Sequence, residues 1–584
     1  MIVFPLFDLV TTERLHSFSV AAGRPPARER GVNSLKSLIG EALWRAGMAG
    51  PPRARWLSWF EPLSVLVDDD ETPLLGVMAA LWMLSPELQN EFALESRKER
   101  SRFIGWCCTL AAKDFALMRE AAVFGPARDL YFRPSRIALQ FSGGPVAIPY
   151  AVAAVFGLAE TPAATSEAEG ENVARALLKY YFDKAGELFG GPQAFPPWLL
   201  DAIKQAGPDF AREFAVPKFE PLAVRLPSPS GAFGAGGVNI FGVLQAPAGG
   251  DEELRCGAAA LAAAGIPFSD DRDAPPYAIN LFFSSALETL RQFCTLGAGS
   301  FLGRRCIGVW PWDLSEFPRE LAFCGFLVDE IWAPSAFVRR AYELSSPVPV
   351  IEMPPAVLAP PVAADRARFD LPADDFLFLV SVDYLAFAQR RNPLAAIRAF
   401  SAAFPAPGEG VRLVVKIAPG KGDGEQREAL ERAIAEEPRV LLIDRELSRD
   451  DMLALLASCD CYVSLHRSES FGRTIADALA LGLPVVATHW SGNVDYAEIG
   501  EQYLVEAKKV APLPGEDPFG DHQLWAEPDF GAAVEALRVA RSDSFRAAPA
   551  IPSRFSAETV GARYGRRLAL YGLTGSRSPE PGRS

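Results

Sequence analysis

The segment YVSLHRSESFGRTIADALALGLPVVATHWSGN, from Tyr462 to Asn493, places a charged loop between a short apolar run and a helical pattern. In an open parallel sheet, ligands bind beyond the carboxyl ends of strands, where helices begin. The turn would direct backbone N–H groups and a helix dipole towards an anion, and Gly472 would let that anion approach closely. The sequence therefore predicts a phosphate site. Its residues are Ser468, Glu469, Ser470, Phe471 and Gly472.

Two carboxylates accompany this loop, Glu469 within it and Asp477 in the helix that follows. A carboxylate beside a phosphate is unfavourable unless it binds a neutral part of the same ligand, and sugar hydroxyls are such a partner. Asp477 lies one turn beyond Arg473 on the same helix face, where it would accept a hydrogen bond from a ribose hydroxyl. The alternative interpretation is an ordinary acidic loop with no ligand.

Two series of short apolar runs follow Gly237 and alternate with helical patterns. Continuous apolar strands separated by helices are typical of parallel sheets that are covered on both faces. The sequence therefore predicts two doubly wound α/β domains that face a cleft. The first series is VNIFGVL, AINLFFS, RCIGVWPW, DEIWAPS and VPVIEM, and the second is FLFLVSVDY, RLVVKIA, RVLLID, CYVSLH and LPVVAT.

The first third of the chain has apolar residues at helical spacing and no repeated strand pattern. TPLLGVMAALWMLSPELQNEF and VAIPYAVAAVFGLAETPAATS echo each other, so we expect an all-α module of two related helical units. The stretch Val216–Gly237 is rich in proline and glycine and indicates a linker. The chain from about Gly231 onward is therefore expected to fold without the helices.

The composition, with 49% hydrophobic and 22% charged residues among 584, is that of a globular protein with several domains. Its net charge of -14 argues against broad binding to nucleic acid. The eight cysteines have no zinc-type spacing, which indicates buried thiols in a reducing compartment. The start has no secretory signal pattern and no apolar run is long enough to span a membrane. We therefore expect a cytoplasmic protein.

The Tyr462–Asn493 segment resembles the donor-site signature of retaining GT-B glycosyltransferases, the family typified by sucrose-phosphate synthases and bacterial mannosyltransferases. That signature has two glutamates at a fixed spacing, with Phe-Gly after the first. The glutamates fall on Glu469 and Asp477, so the second carboxylate is one methylene shorter here. LGLPVVAT and SGN continue the match. The resemblance implies a nucleotide-diphosphate sugar as donor, no cofactor, and a carboxylate at Glu469 that orients the donor sugar.

VSVDYLAFAQRRNPLAAIRAF resembles the family segment that supplies cations for the diphosphate. It puts Arg391 at the position usually held by lysine, with Arg390 beside it, and Lys416 is a second candidate cation. The family often has a further arginine where this chain has Val382 and Asp383. Arginines beside a helix start are also common on solvated surfaces, which is the alternative interpretation.

Two segments of the first series resemble bacterial polysaccharide glycosyltransferases. A glycine-rich turn precedes the first helix, where Gly249, Glu252 and Arg255 match and Asp251 replaces a glycine. IGVWPWDLSEFP resembles an acceptor-side segment, although tryptophan more often fills a core. The acceptor-side residues would be Trp310, Trp312 and Asp313.

The resemblance implies a GT-B fold of two Rossmann-like domains with an acceptor side and a donor side. Its last helix returns to the first of these domains. The predicted divisions are 1–215 (helical module), 216–236 (linker), 237–365 (acceptor side), 366–552 (donor side), 553–574 (returning helix) and 575–584 (disordered tail).

The implied activity is metal-independent transfer of a sugar, with retention, to a glycan or lipid-linked oligosaccharide of the bacterial surface. The net charge limits any membrane contact to a local, weak, peripheral one at the inner face. Two alternatives remain open: an inactive glycosyltransferase-like binding or assembly protein, and a sugar-nucleotide epimerase on the same fold. Neither the sugar nor the base is specified by the sequence.

Overall fold

The structure is a computed structural model that describes seventeen stretches of the chain. They are residues 35–52, 54–63, 74–123, 131–156, 167–188, 195–214, 233–234, 236–242, 252–358, 362–383, 388–406, 408–418, 424–496, 502–514, 516–520, 523–543 and 553–573.

The described residues before 215, called the helical module below, form short helices and one β-hairpin. The helices are α1 (Leu35–Ala49), α2 (Gly76–Leu84), α3 (Pro86–Glu91), α4 (Arg97–Cys108), α5 (Ala111–Asp114), α6 (Ala116–Val123), α7 (Tyr150–Val155), α8 (Glu167–Leu188), α9 (Pro197–Ala206) and α10 (Pro208–Glu213), with a 3₁₀ helix at Arg55–Phe60.

The hairpin was not predicted from the sequence, which assigned VAIPY to a helix. Strand β1 (Pro134–Phe141) pairs antiparallel with β2 (Gly144–Pro149), and Phe141 lies opposite Gly144. Gly144 has a φ of 134°, which suits glycine at the turn, and Pro149 cannot continue a helix through this segment. The two echoing segments therefore form different elements, since one gives α2 and α3 and the other begins with β2.

The helical module shares one buried apolar core with the sheet that follows it. Trp59 is fully buried and its ring packs edge-on against Phe323, with centroids 5.5 Å apart. A Cβ on Gly40 would lie 2.3 Å from the carbonyl oxygen of Glu320, so glycine allows α1 to approach the 3₁₀ helix Arg319–Leu327. The expectation that few contacts cross between the helices and the next domain does not hold, because the apolar faces of both are buried against each other.

The first sheet is parallel, with strand order β4-β3-β5-β6-β7-β8. Its buried strands alternate with helices, and the C-terminal helix packs on the first of these helices. We call this unit the first sheet domain. Its elements are β3 (Val238–Phe241), α11 (Glu252–Ala263), β4 (Phe268–Ser269), β5 (Ile279–Phe283), α12 (Ala286–Leu296), β6 (Arg305–Val309), β7 (Glu330–Ala333), α13 (Ala336–Glu343) and β8 (Val350–Glu352).

The second sheet is also parallel, with strand order β11-β10-β9-β12-β13-β14, and forms the second sheet domain. Beside it lies an antiparallel ribbon of β15 and β16. The elements are β9 (Phe376–Asp383), α14 (Ala388–Arg391), α15 (Pro393–Ala403), β10 (Val411–Ala418), α16 (Gly424–Glu436), β11 (Val440–Asp444), α17 (Arg449–Ser458), β12 (Cys461–Ser464), α18 (Arg473–Ala480), β13 (Val485–Thr488), β14 (Gln502–Val505), β15 (Ala507–Val510), β16 (Trp525–Pro528) and α19 (Phe530–Asp543). The C-terminal helix α20 (Ala557–Ala569) follows them in the chain and packs on α11 of the first sheet domain.

The predicted fold class is confirmed: two Rossmann-like α/β domains follow a helical region, in the GT-B arrangement. Each run predicted as a strand contains one. The missed strands β4 and β14 lie at sheet edges, where half-exposed residues such as Gln502 and Tyr503 give no continuous apolar run. No helix of the described residues combines the length and apolar character needed to cross a membrane.

Candidate functional site

The order of the second sheet reverses direction between β9 and β12, which are neighbours in space. In such sheets a crevice opens beyond the carboxyl ends of the two strands at the reversal, and ligands bind there. The chain leaving β9 leads to Arg391, and the chain leaving β12 leads to Glu469. These two side chains form an ion pair, so the structure brings together the two residues at the centre of the predicted site.

The loop after β12, Leu465–Gly472, is called the switch-point loop below. Its conformation is fixed by hydrogen bonds to the SGN segment: the Glu469 N–H donates to the side-chain oxygen Ser491 Oγ (2.8 Å), and the Gly492 N–H donates to the Glu469 carbonyl (2.8 Å). A Cβ on Gly492 would lie 2.0 Å from the Ser470 carbonyl oxygen, so only glycine fits there. The switch-point loop therefore has a conformation that is defined by these contacts.

Helix α18 begins at the end of this loop, as the sequence predicted. Gly472 precedes it with a φ of 80°, a conformation that favours glycine. Phe471 is buried against Tyr496, whose hydroxyl donates to the Gly472 carbonyl (2.8 Å). Ser468 is fully buried. Ser468, Phe471 and Gly472 therefore shape the turn, and α18 begins beyond the carboxyl end of β12, where the crevice opens.

Arg390 is buried at the boundary between the two sheet domains. It forms an ion pair with Asp313 of the first sheet domain, and its carbonyl accepts a hydrogen bond from the Arg467 N–H (2.7 Å). Burial, and then the neighbouring charge of Arg391, lower the pKa of Arg390 to about 9, while Asp517 opposes this shift. Arg390 therefore remains a cation at neutral pH.

Lys416 lies near the carboxyl end of strand β10. It is buried and lies opposite Ser381 of β9. Strand β10 is the neighbour of β9, so Lys416 lies one strand away from the reversal of strand order. Val382, which stands where the family often has arginine, is buried in the apolar core. The cations of the described crevice thus come from α14 and β10.

Asp477 lies on α18 as predicted, but its surroundings differ from those expected for a ribose contact. Its side chain is 1% exposed and both oxygens accept from Arg449, at 2.6 and 2.7 Å. Arg449 also lies 3.3 Å from Glu252 across the domain boundary. A ribose hydroxyl would have to replace part of this bidentate pair, so the carboxylate acts first as the partner of Arg449.

Two arginines of this network were not predicted as functional residues. Arg449 and Arg473 each occupy the first position of a helix, where the macrodipole disfavours a positive charge. Each has a carboxylate partner elsewhere in the chain, Asp477 for Arg449 and Glu253 (2.6 Å) for Arg473. A cation at a helix start is the sequence signal that would have indicated such partners.

His466 is a buried residue of the switch-point loop. Its Nδ1 lies 3.0 Å from Ser464 Oγ, and its Nε2 lies 3.1 Å from the side-chain oxygen of Asn493. Burial lowers the pKa of His466 to about 4, against the hydrogen bond to the Trp490 carbonyl. The neutral ring therefore connects the end of β12 to the SGN segment.

The predicted acceptor-side residues separate into two groups. Trp310 is fully buried and its indole N–H donates to Thr289 (2.9 Å), so it packs the core and an acceptor contact does not fit its burial. Trp312 is partly exposed and its ring packs on Phe519 of the second sheet domain. Asp313 crosses the boundary to Arg390. Gly249 lies outside the described residues.

Several buried polar atoms near the crevice have no hydrogen-bond partner within the described part of the chain. A buried polar group without a partner costs about 1–3 kcal/mol, and such groups are rare in native structures. Their positions around the switch-point loop fit a site that a ligand or solvent completes. The atoms are Asn392 Nδ2, Ser468 Oγ, Thr488 Oγ1 and Trp490 Nε1. Among the described residues, no group of three or more His, Cys, Asp or Glu side chains is arranged to hold a metal.

Comparison with known families gives one match: residues 387–513 match the model of "Glycosyl transferases group 1". The matched segment contains Arg390, Arg391, Lys416, Glu469 and Asp477 and spans less than half of the chain. No curated protein matches the sequence. The match therefore concerns the second sheet domain and the crevice described above.

Among solved structures, sucrose-phosphate synthase from Thermosynechococcus elongatus is 17% identical, with a TM-score of 0.37, over 51% of this chain and 75% of that one. HepE from Anabaena, in complex with UDP-glucose, is 14% identical, with a TM-score of 0.37, over 57% of this chain and 99% of that one. A UDP-forming trehalose-phosphate synthase from Burkholderia xenovorans is 13% identical, with a TM-score of 0.35, over 50% and 73%. These values are too low to transfer a substrate or a residue's role.

Proposed function

We propose that the chain is a retaining glycosyltransferase that moves a sugar from a nucleotide-diphosphate sugar to an acceptor hydroxyl. The observation that carries the proposal is the Arg391–Glu469 pair at the carboxyl ends of β9 and β12, where a parallel sheet of this order binds its ligand. The family match over 387–513 supports it. Arg391 would then bind the diphosphate and Glu469 the sugar of the same donor.

In this proposal the diphosphate lies against Arg391 and Lys416 and the N–H groups of the turn from Ser470 to Gly472, with Arg390 beside them. Charge that develops on the leaving phosphate is stabilised by these fixed groups, which need little rearrangement. Glu469 turns from Arg391 to the sugar hydroxyls and orients the ring. The leaving phosphate helps to deprotonate the acceptor on the same face, which retains the configuration. These groups supply the positive charge that a metal would supply in other transferases.

The acceptor proposed is a glycan or lipid-linked oligosaccharide in the synthesis of a bacterial surface polysaccharide or glycoconjugate. The protein would work in the cytoplasm, with local peripheral contact at the inner membrane face. This part of the proposal rests on the resemblance of the segments around Glu252 and Trp312.

The test begins with thermal shift across a panel of UDP-, GDP-, ADP- and dTDP-sugars. A donor at a hundred times its dissociation constant should stabilise the fold by about 2.7 kcal/mol. With that donor, Glu469→Ala should lower turnover about 10²-fold or more because the sugar is no longer held in a reactive pose. Glu506→Ala, at an exposed carboxylate, is the matched control. Turnover should also persist in excess chelator.

The outcomes separate the candidate functions. A transferase consumes donor only with acceptor, apart from slow hydrolysis, whereas an epimerase needs no acceptor. A folded Glu469→Ala variant with normal turnover would refute the assigned role. The second candidate, an inactive binding protein, is favoured by one observation: Asp313 and Glu469 already neutralise Arg390 and Arg391. Donor binding without consumption would support that candidate.

A further inference from the structure

Asp313 reaches from the first sheet domain into the switch-point loop of the second. One oxygen accepts from the Ser470 N–H (2.8 Å) and the other forms an ion pair with Arg390. Ser470 and Arg390 are two of the residues predicted to bind the donor. A carboxylate that bridges a backbone amide and a guanidinium makes two charge-assisted hydrogen bonds, the type that also binds phosphate oxygens.

The segment that carries Asp313 is held across the boundary by contacts on both sides of it. Trp312 packs on Phe519 with ring centroids 5.5 Å apart. Further along, the Glu316 N–H and the Ser315 hydroxyl both donate to the side-chain oxygen of Gln523, at 2.9 and 3.2 Å. These contacts on both sides hold Asp313 next to Arg390, so its carboxylate has a defined position.

We propose that Asp313 is an internal competitor of the donor: its carboxylate occupies the Ser470 amide and Arg390, and a donor diphosphate must displace it. The proposal rests on the proposed function and deepens it. The Asp313 carboxylate and a donor diphosphate would compete for these N–H donors, because two anions that are close together repel each other. Displacement of Asp313 removes one of the contacts that hold the segment 312–316 against the second sheet domain, so donor binding weakens this boundary.

This arrangement has a consequence for affinity. When the binding-competent state is only a fraction of the population, the measured dissociation constant is the intrinsic one divided by that fraction. Removal of the Asp313 charge raises the fraction and so tightens binding. The same removal exposes the Ser470 N–H even when no nucleotide is present, because its acceptor is weakened or lost.

The first experiment measures the dissociation constants of UDP, GDP, ADP and dTDP by titration calorimetry with the full chain and with Asp313→Asn. We expect the variant to bind its preferred nucleotide about tenfold more tightly, which corresponds to about 1.4 kcal/mol. Glu316→Gln removes one charge from the exposed end of the same segment and controls for general electrostatics. Asp495→Asn weakens another cross-boundary contact, with the Ala336 N–H (2.7 Å), and controls for loosening alone.

Equal affinity of Asp313→Asn and the parent chain would overturn the inference and leave the proposed function standing, as would an equal gain in either control. If none of the four nucleotides binds the parent chain or the variant, the proposed function and this inference both fail. The second experiment needs no ligand: in hydrogen exchange, Asp313→Ala should accelerate exchange of the Ser470 amide, and Glu316→Ala should not. Unchanged exchange at Ser470 would also overturn the inference.

Discussion

The first sheet domain has two neighbours, and it meets them in different ways. Towards the helical module the contact is apolar: Trp44 packs on Phe326, Trp56 on Phe293 and Trp59 on Phe323. Towards the second sheet domain the contact is made mainly by ion pairs and hydrogen bonds, with ring contacts such as Trp312 on Phe519, and the buried cores of the two sheets are separate. Examples are Glu253–Arg473 (2.6 Å) and the bond from Ser335 to the Ser470 carbonyl (2.7 Å).

The difference indicates which boundary can open during function. Separation of an apolar contact exposes apolar surface to water, which costs a free energy of about 25 cal/mol per Å², and water makes no hydrogen bonds to that surface that would offset the cost. Ion pairs and hydrogen bonds at a boundary are exchanged for bonds to water, so their net contribution is about 0.5–1.5 kcal/mol each. We therefore expect the helical module to stay with the first sheet domain and the boundary between the two sheet domains to be the one that opens.

The largest effect is expected from Trp59→Ala. The side chain is fully buried between α1, where its indole N–H donates to the Leu43 carbonyl (3.0 Å), and the ring of Phe323. Loss of a buried tryptophan leaves a cavity and should lower the free energy of unfolding by about 3–5 kcal/mol. Urea unfolding measures it, with Leu570→Ala as the control because Leu570 is 68% exposed.

If the apolar boundary is permanent, Trp59→Ala should destabilise the helical module and the first sheet domain together. A helical module that melts in its own early transition, with the first sheet unchanged, would contradict this view. A truncated chain beginning near Gly231 should aggregate for the same reason, contrary to the expectation from the proline- and glycine-rich linker.

An intermediate effect is expected at the polar exception within the apolar boundary. Glu120 of α6 accepts a hydrogen bond from the Ala298 N–H (2.7 Å) in the first sheet domain. Burial raises the pKa of Glu120 from 4.5 to about 7, against the hydrogen bonds from Ala298 and Gly299. The folded chain thus holds a proton that the unfolded chain releases, and this contribution to stability is lost as the pH rises from about 4.5 to about 7.

Glu120→Gln keeps an oxygen acceptor for Ala298 and removes the titration. We expect the pH dependence of the unfolding free energy to become flatter between about pH 4.5 and 7 in this variant, relative to the parent chain. Glu61→Gln, at an exposed carboxylate of the same module, should leave the slope unchanged. Parallel pH profiles for Glu120→Gln and the parent chain would show that the boundary is insensitive to this charge.

The contrast between the boundaries also explains what the sequence predicted. The strands of both sheets except the edge strands β4 and β14, and the turn at Glu469, were predicted because local patterns, apolar runs and a glycine before a helix, determine them. The partner of Asp477 and the position of Asp313 were not, because each depends on residues far away in the chain. The core shared by the helical module and α12 was missed for the same reason. The composition of a linker describes the segment that connects two domains, and it does not show whether the domains pack against each other.

The smallest effect is expected at the polar boundary, from Glu253→Gln. Glu253 is 40% exposed in its pair with Arg473, which also donates to the Ala356 carbonyl (2.9 Å). Glu253 is partly exposed and glutamine keeps an oxygen acceptor for the mostly buried Arg473, so the unfolding free energy should fall by only about 1 kcal/mol. The effect should appear instead in the distance between the sheet domains, followed by fluorescence transfer or small-angle scattering.

The parent chain should open as salt rises and screens the Glu253–Arg473 pair. Glu253→Gln should be more open at low salt and less sensitive to added salt. A loss of stability as large as that of Trp59→Ala would mean that the two sheet domains, too, are joined permanently.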